Sequence, residues 1–354
     1  MDKQEVSKFT GGIDLSISHA MRLIDANANG ILFIVDEKRS IAGCITDGDI
    51  RRFLLSGGKM DDKAINAANR HPKVARTQEE AAALYHQKNY VVIPVVDENG
   101  RITDLYNGER SSENNRKPLR VPVVINAGGK GTRLEPFTKV LPKPLIPVGD
   151  LPIIEMIMQE YQSYACNDFH IIVNYKKDLI KAYFKDTENP YSITWYDEDK
   201  PLGTGGGLSL LRGKLDSTFF FANCDALLTA NYERMLDFHK ENKNAITMIC
   251  TCKNFNIPYG VVEIGKNGMI QSMQEKPLVS FLANTGIYIV EPEVIDDIED
   301  NTAVSFPDIV EMERKKGKRT AAFPVSENEW MDMGQLPELE RMRIKLCGET
   351  AGGE

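Results

Sequence analysis

Beyond Leu119 short apolar runs alternate with amphipathic stretches, and this alternation constrains the fold more than any other feature. The runs "VPVVIN", "FHIIVNY", "SITWYD", "TFFFANCD", "AITMICTC", "YGVVEI", "MIQSMQ" and "TGIYIV" read as strands. Between them "PIIEMIMQEYQSYA", "NYERMLDFHKEN" and "FPDIVEMERKKG" read as helices. In the first of these, Ile154, Ile157, Met158 and Tyr161 recur at helical spacing and Pro152 suits a first turn. Such alternation predicts an α/β fold, a mostly parallel sheet with helices on both faces. The segment "YGVVEIGKNGMIQSMQ", with Lys-Asn-Gly at its centre, predicts an inserted antiparallel hairpin.

Open sheets of this kind take ligands at the carboxyl ends of their strands. "NAGGKGTRLEPFTKVLPKP", Asn126 to Pro144, follows the first run at such an end. Gly128, Gly129 and Gly131 free the backbone to curl and present N–H groups to an anion. Arg133 adds a planar fork suited to phosphate oxygens. The prolines hold Lys143 in a stiff loop, because each restricts the residue before it. A rigid cation beside a backbone nest is what a triphosphate needs. The spacing is not that of the P-loop, and Leu134 stands where the dinucleotide fingerprint has its third glycine.

The residues up to about Lys117 differ in pattern. "GILFIVDEKRSIAG" and "VVIPVVDENGRITD" are two copies of one strand–turn–strand unit, with Asp36 and Asp97 61 residues apart. A helix-like stretch precedes each copy, and Thr77 with Glu80 forms a capping box in the second. "SSENNRKPLR" reads as a linker, so the expected division is 1–117 and 118–354. A formal net charge of −8 argues against a nucleic-acid partner. No apolar run reaches a membrane span, and the amino terminus carries no secretory signal pattern. The six cysteines include no Cys-x-x-Cys pair, so neither zinc nor a disulfide framework is indicated. A cytoplasmic protein is expected.

Two resemblances follow. "IVDE…IAGCITDGDIRRFLLSG" resembles the paired CBS (Bateman) module, a small α/β domain that regulates or oligomerises its neighbour. That resemblance implies an adenine or guanine nucleotide held by Thr46 and Asp49. The second copy has Asn107 and Arg110 at those places, so one site per module is expected. For Asp49 two readings stand: a ribose contact, or a cap for the helix that follows. "GGKGTRLEPFTKVLPKPLIPV" resembles the signature of the sugar-phosphate nucleotidyltransferases, whose fold is Rossmann-like. "PLGTGGGLSLL", "FFFANCDAL", "YGVVEI", "MQEKP", "NTGIYIV" and "WMDMGQLPEL" continue the likeness in the family's order over nearly the whole second part.

This second resemblance implies residue roles. Arg133 and Lys143 would be catalytic. Ala127, Gly128, Gly129, Gly131, Thr132, Gly203, Thr204, Gly205 and Asn223 would bind the nucleotide. Gly260, Glu275, Lys276, Asn284 and Thr285 would bind the sugar phosphate, and Asp225 and Asp332 would hold Mg2+. Asn126 departs from the family, where an apolar residue is usual; its amide either contacts the base or satisfies a turn. Cys224 beside Asp225 is expected to pack only. The implied reaction joins an NTP and a sugar 1-phosphate to give a nucleotide-sugar and pyrophosphate, in a homo-oligomer. "LGTGGGL" resembles the loop of guanylyltransferases acting on mannose, heptose or glucosamine phosphates, and the pairing with a CBS module resembles enzymes making GDP-glucosamine for legionaminic acid. GTP is therefore favoured. Uridylyl, cytidylyl or thymidylyl transfer, or an inactive nucleotide-sensing protein, are the alternatives.

Overall fold

The computed structural model describes residues 6–27, 29–88, 92–106, 116–186 and 190–347. Packing divides the chain into two compact units: Met1–Glu113 with Cys252–Ala283 and Pro324–Asn328, and Asn114–Thr251 with Asn284–Phe323 and Glu329–Glu354. The division is interleaved, where the sequence suggested a single cut at 117/118. Its cause is visible in the first unit. Cys252 is fully buried in one apolar cluster with Ile17, Ala20, Met21, Ile24 and Ile65. Ser326 Oγ and Asn328 Nδ2 both donate to Asp25, on the helix Ile17–Asn27.

The repeat in the first unit is structural. Ile31–Val35 pairs antiparallel with Ile41–Thr46, and Ile93–Val96 pairs in the same way with Ile102–Tyr106. The two turns share one device. Asp36 Oδ1 accepts from the amides of Lys38 and Ser40, each at 2.9 Å. Asp97 Oδ1 accepts from Asn99 and Arg101 at 2.8 and 2.9 Å. A short side-chain acceptor that mimics a turn carbonyl explains why Val-Asp-Glu recurs. The turns also meet each other, Ile41 N donating to Gly100 O at 3.0 Å. Thr77 Oγ1 accepts from Glu80 N at 3.2 Å, while the Glu80 carboxylate reaches Arg76 N rather than closing the box on Thr77. Asn107 and Arg110 lie outside the described residues. The expected hairpin is present in this unit, Val261–Ile264 against Ile270–Gln274. Asn267 and Gly268 supply the left-handed turn residues at φ 60° and 75°.

The second unit is built on a seven-stranded sheet. Its strands in chain order are β1 Val123–Asn126, β2 Asp168–Val173, β3 Ser192–Asp197, β4 Phe219–Asn223, β5 Ile246–Asn256, β6 Leu278–Val290 and β7 Thr320–Val325. The spatial order is β3-β2-β1-β4-β6-β5-β7. β3, β2, β1 and β4 run parallel and β6 is antiparallel to β4. β4 reads "FFFAN" because it is covered on both faces: Phe219, Phe220, Phe221 and Ala222 are fully buried. On one side of it Phe221 stacks on Phe306, and Phe306 on Tyr288. Phe220 packs with Tyr161 and Tyr232. Tyr161 belongs to the helix Ile153–Gln162, whose buried residues include Ile154, Ile157 and Met158 at the spacing read from the sequence; Pro152 is its N-cap. Two adjacent strand residues therefore feed two aromatic clusters, which fixes β4 and its carboxyl end. Phe221→Ala is expected to cost about 3–5 kcal/mol, measured as a lowered urea midpoint with unchanged m-value; a loss below about 1 kcal/mol would show that the stack does not hold the sheet.

Candidate active site

The site forms where β1 and β4 end. The backbones of Asn126 and Asn223 are paired there, and Asn126 is also paired with Ile172 of β2. Ala127 is buried behind the loop, its N–H donating to Ile172 O at 2.8 Å. Gly131 sits at φ 66° and its carbonyl accepts from Thr138 Oγ1 at 3.0 Å, which closes the loop on itself. A cavity of about 290 Å³ opens between two glycine-rich segments. Gly128, Gly129 and Gly131 line one wall with Lys143; Gly203 and Thr204 line the other with Leu202; Asn223 and Asp225 lie at the strand end.

The second wall is held from behind. Gly205 and Gly206 donate to Val304 O at 3.0 and 3.2 Å, and Thr204 Oγ1 accepts from Phe306 N at 3.0 Å, capping from outside the helix Phe306–Lys315. Gly203 must be glycine. Its φ is 79°, and a Cβ there would lie 2.7 Å from Val304 O. The "GTGGG" run is thus required by backbone-on-backbone packing as well as by the cavity.

Lys143 stands in a short helical turn flanked by Pro142 and Pro144, and its ammonium forms an ion pair with Asp225. Burial works against the Lys143 charge, but Asp225 above all, and Asp332 in addition, hold its pKa above the usual value. Asp225 and Asp332 are brought side by side. The strands Ala226–Leu228 and Trp330–Asp332 are antiparallel with Ala226 opposite Asp332, and Met333 N donates to Asp225 O at 2.9 Å. Burial, then the charge of Asp225, push the Asp332 carboxyl up to about 6, and Gly334 N donates to it at 2.8 Å. Cys224 is buried and its thiol is pushed up to about 12, first by burial and then by Asp225, so it carries no thiolate at neutral pH.

Other expected residues fall elsewhere. Thr132 and Arg133 are exposed on the helical turn Thr132–Leu134, outside the cavity lining. Thr285 is buried, its hydroxyl donating to Ile249 O at 2.8 Å and its carbonyl accepting from Trp330 Nε1 at 3.2 Å. Asn284 donates to Tyr288 Oη at 2.5 Å and accepts from Gly286 N at 3.0 Å. Gly260, Glu275 and Lys276 belong to the first unit. They sit together at the hairpin base, where Glu275 Oε2 lies 3.0 Å from the position of a Gly260 Cβ and Lys276 is left-handed at φ 47°. Thr46 and Asp49 form a complete capping box on the helix Asp47–Leu55, and Asp49 also pairs with Arg52. Of the two readings of Asp49, the cap is observed.

Glu198 was not expected. It lines the cavity, is 4% exposed, and its Oε1 has no hydrogen-bond partner. Its two carboxylate oxygens face the backbones of Gly128 and Gly207, whose added Cβ atoms would lie 2.7 and 2.6 Å away. Burial pushes its pKa up to about 7. In the acidic run Asp197-Glu198-Asp199 it looks like a solvated residue. Only the strand alternation separates it from Asp197, which turns outward to Lys177 and Lys181.

Comparison with known proteins agrees with this geometry. Residues 122–347 match the nucleotidyl transferase family, and residues 12–56 match the CBS domain. The chain belongs to the nucleotidyl transferase family. It is 36% identical over 225 residues to the mannose-1-phosphate guanyltransferase of Candida albicans, covering 60% of each chain. To that of Saccharomyces cerevisiae it is 35% identical, covering 60% of this chain and 61% of the relative. The chain therefore spans about 60% of the length of these relatives. HddC from Yersinia pseudotuberculosis, solved with GMP-PN, shares the fold at a TM-score of 0.50 and 22% identity, over 64% of this chain and 99% of that one. A putative glucose-1-phosphate thymidylyltransferase from Bacillus anthracis does so at 0.51 and 24%, over 66% and 98%.

The Glu198 carboxyl gives a pH test. Because its folded pKa is raised, ionising it destabilises the fold: the stability is intact below about 4.5 and is lost as pH rises through about 7. Glu198→Gln is expected to raise the melting temperature relative to wild type at pH 8, by the equivalent of about 2–3 kcal/mol, and to leave it level at pH 4. A difference independent of pH would show that Glu198 is solvated.

Proposed function

We propose that the chain transfers the guanylyl group of GTP to the phosphate of a sugar 1-phosphate, mannose or glucosamine being the favoured sugars, and releases pyrophosphate. The observation that carries this reading is Glu198, a buried carboxylate of the cavity lining whose Oε1 has no hydrogen-bond partner. An ionised carboxylate accepts two hydrogen bonds side by side, and the guanine edge offers N1–H and N2–H together. Uracil and thymine offer N3–H between two carbonyls, and adenine and cytosine present a ring acceptor there. The 36% identity to a mannose-1-phosphate guanyltransferase supports the same choice.

The chain's own residues then divide the work. The loop of Gly128, Gly129 and Gly131, in which the Gly128 N–H is already held by Asn126 Oδ1, receives the triphosphate, and Lys143 is held in place by Asp225 to face developing charge. Arg133, exposed on the next turn, closes on the phosphates from the rim. An oxygen of the sugar phosphate attacks the α-phosphorus in line as the bond to pyrophosphate breaks; alignment and charge neutralisation supply the rate. Asp225 and Asp332 fit a divalent ion of the magnesium kind. They are adjacent, and Asp332 is raised first by burial and then by the charge of Asp225, the second of which a cation relieves. Among the described residues no cluster of three His, Cys, Asp or Glu exists, so further ligands would be phosphate oxygens and water. When bound, that ion neutralises triphosphate charge. A nucleotide at Thr46 and Asp49 would have to compete with the capping box.

Pyrophosphate release from a panel of NTPs with mannose and glucosamine 1-phosphates tests the reading: GTP is expected to be turned over fastest, and no turnover with any pair in the presence of magnesium would defeat it. Asp225→Asn and Asp332→Asn are each expected to lower kcat at least about hundredfold with the fold intact. Lys143→Ala is expected to lower kcat by about 10²–10³; a change confined to the KM for GTP would assign Lys143 to ground-state binding instead.

A further inference from the structure

Asn126 ends β1, and its side chain is engaged on both sides. Nδ2 donates to the carbonyls of Gly203 and Thr204 at 3.3 and 3.2 Å, and Oδ1 accepts from Gly128 N at 3.3 Å. The amide's orientation is fixed by these partners, because a flipped amide would set oxygen against two carbonyls and a donor against an N–H. One wall of the cavity carries Gly203 and Thr204, and the other carries Gly128. The 202–206 segment is sewn on its far side to 302–306: Val304 N donates to Leu202 O at 3.0 Å, and Gly205 and Gly206 both donate to Val304 O. On its near side Asn126 ties it to the end of β1, whose backbone is locked between β2 and β4. An apolar residue at this position makes none of these bonds.

We propose that Asn126 is a positioning residue, a clasp that sets the base-side loop against the phosphate-side loop so that selection of the base is converted into alignment of the α-phosphate. The proposal rests on the nucleotidyl-transfer reading of the cavity, and on GTP only for the identity of the base. Asn126 acts here through the protein: both of its amide atoms bond to the backbone of the two loops. What it contributes is the spacing between the 203–204 backbone and Gly128, the residue against which Glu198 packs.

The test compares kcat/KM for GTP with those for ATP, UTP, CTP and dTTP in wild type, Asn126→Leu and Asn126→Asp. Leucine keeps the strand but removes all three bonds. Aspartate keeps the shape and the acceptor for Gly128 N, and turns lone pairs toward the two carbonyls. In both variants the preferred nucleotide is expected to lose about tenfold or more relative to the others, from three lost hydrogen bonds in the leucine variant and two in the aspartate variant, with aspartate the worse because its charge faces two carbonyls, and KM for that nucleotide rising. A purely structural residue would lower all nucleotides together alongside the melting temperature, and that outcome overturns the clasp. So does an unchanged preference in either folded variant, or a wild type that shows no preference. A wild type that prefers another base defeats the GTP reading alone, and the clasp is then tested on that nucleotide.

Discussion

The Lys143–Asp225 ion pair is the contact on which the site depends. It joins the proline-stiffened turn after the glycine loop to the residue just past β4, the most deeply buried strand of the sheet. Two carboxylates side by side would otherwise repel within a half-buried pocket, and burying an unpaired charge costs several kcal/mol. Lys143 balances one of them and leaves Asp332 raised to about 6. The pair thus has one carboxyl more than Lys143 balances, which a cation would offset. Electrostatic strain is stored where charge is to be handled.

The opposite wall follows a second constraint, close backbone approach. The 203–206 glycines lie against 302–306 with no room for side chains, so this wall is rigid without being bulky. Between the walls, Glu198 is held by Gly128 and Gly207 with an oxygen left unsatisfied. A buried unpaired acceptor costs about 1–3 kcal/mol. A ligand that donates to it recovers that cost, whereas one that presents an acceptor increases it, so the same feature gives both affinity and discrimination.

Much of this was legible in the sequence. The strand–helix alternation announced the mostly parallel sheet, the run "TFFFANCD" one of its strands, and the Val-Asp-Glu repeat two strand–turn–strand units. The glycine loop and Lys143 lie in one short stretch and were singled out from it, whereas Asp225, 82 residues beyond Lys143, was singled out only through the family resemblance. What was not legible depends on tertiary direction. Glu198 differs from Asp197 only in which face of a strand end it takes, and an acidic run conceals that. The partners of Asn126 are 77 and 78 residues away. Thr285 was assigned to a pocket from its place in "NTGIYIV", yet its hydroxyl and carbonyl are both used within the fold. Residues 252–283 meet the amino-terminal residues through the buried Cys252, and residues 324–328 meet them through Asp25, neighbours that no local pattern announces.

The most direct measurement of the central claim, that Glu198 reads a guanine edge, is equilibrium binding of GTP and ITP to wild type and Glu198→Gln. Inosine keeps N1–H and the 6-carbonyl and lacks only the 2-amino group. Wild type is expected to bind GTP about tenfold or more tighter than ITP, one charge-assisted hydrogen bond's worth, and the gap is expected to close in Glu198→Gln. Equal affinities of wild type for the two nucleotides, or a gap that survives the substitution, would contradict the assignment.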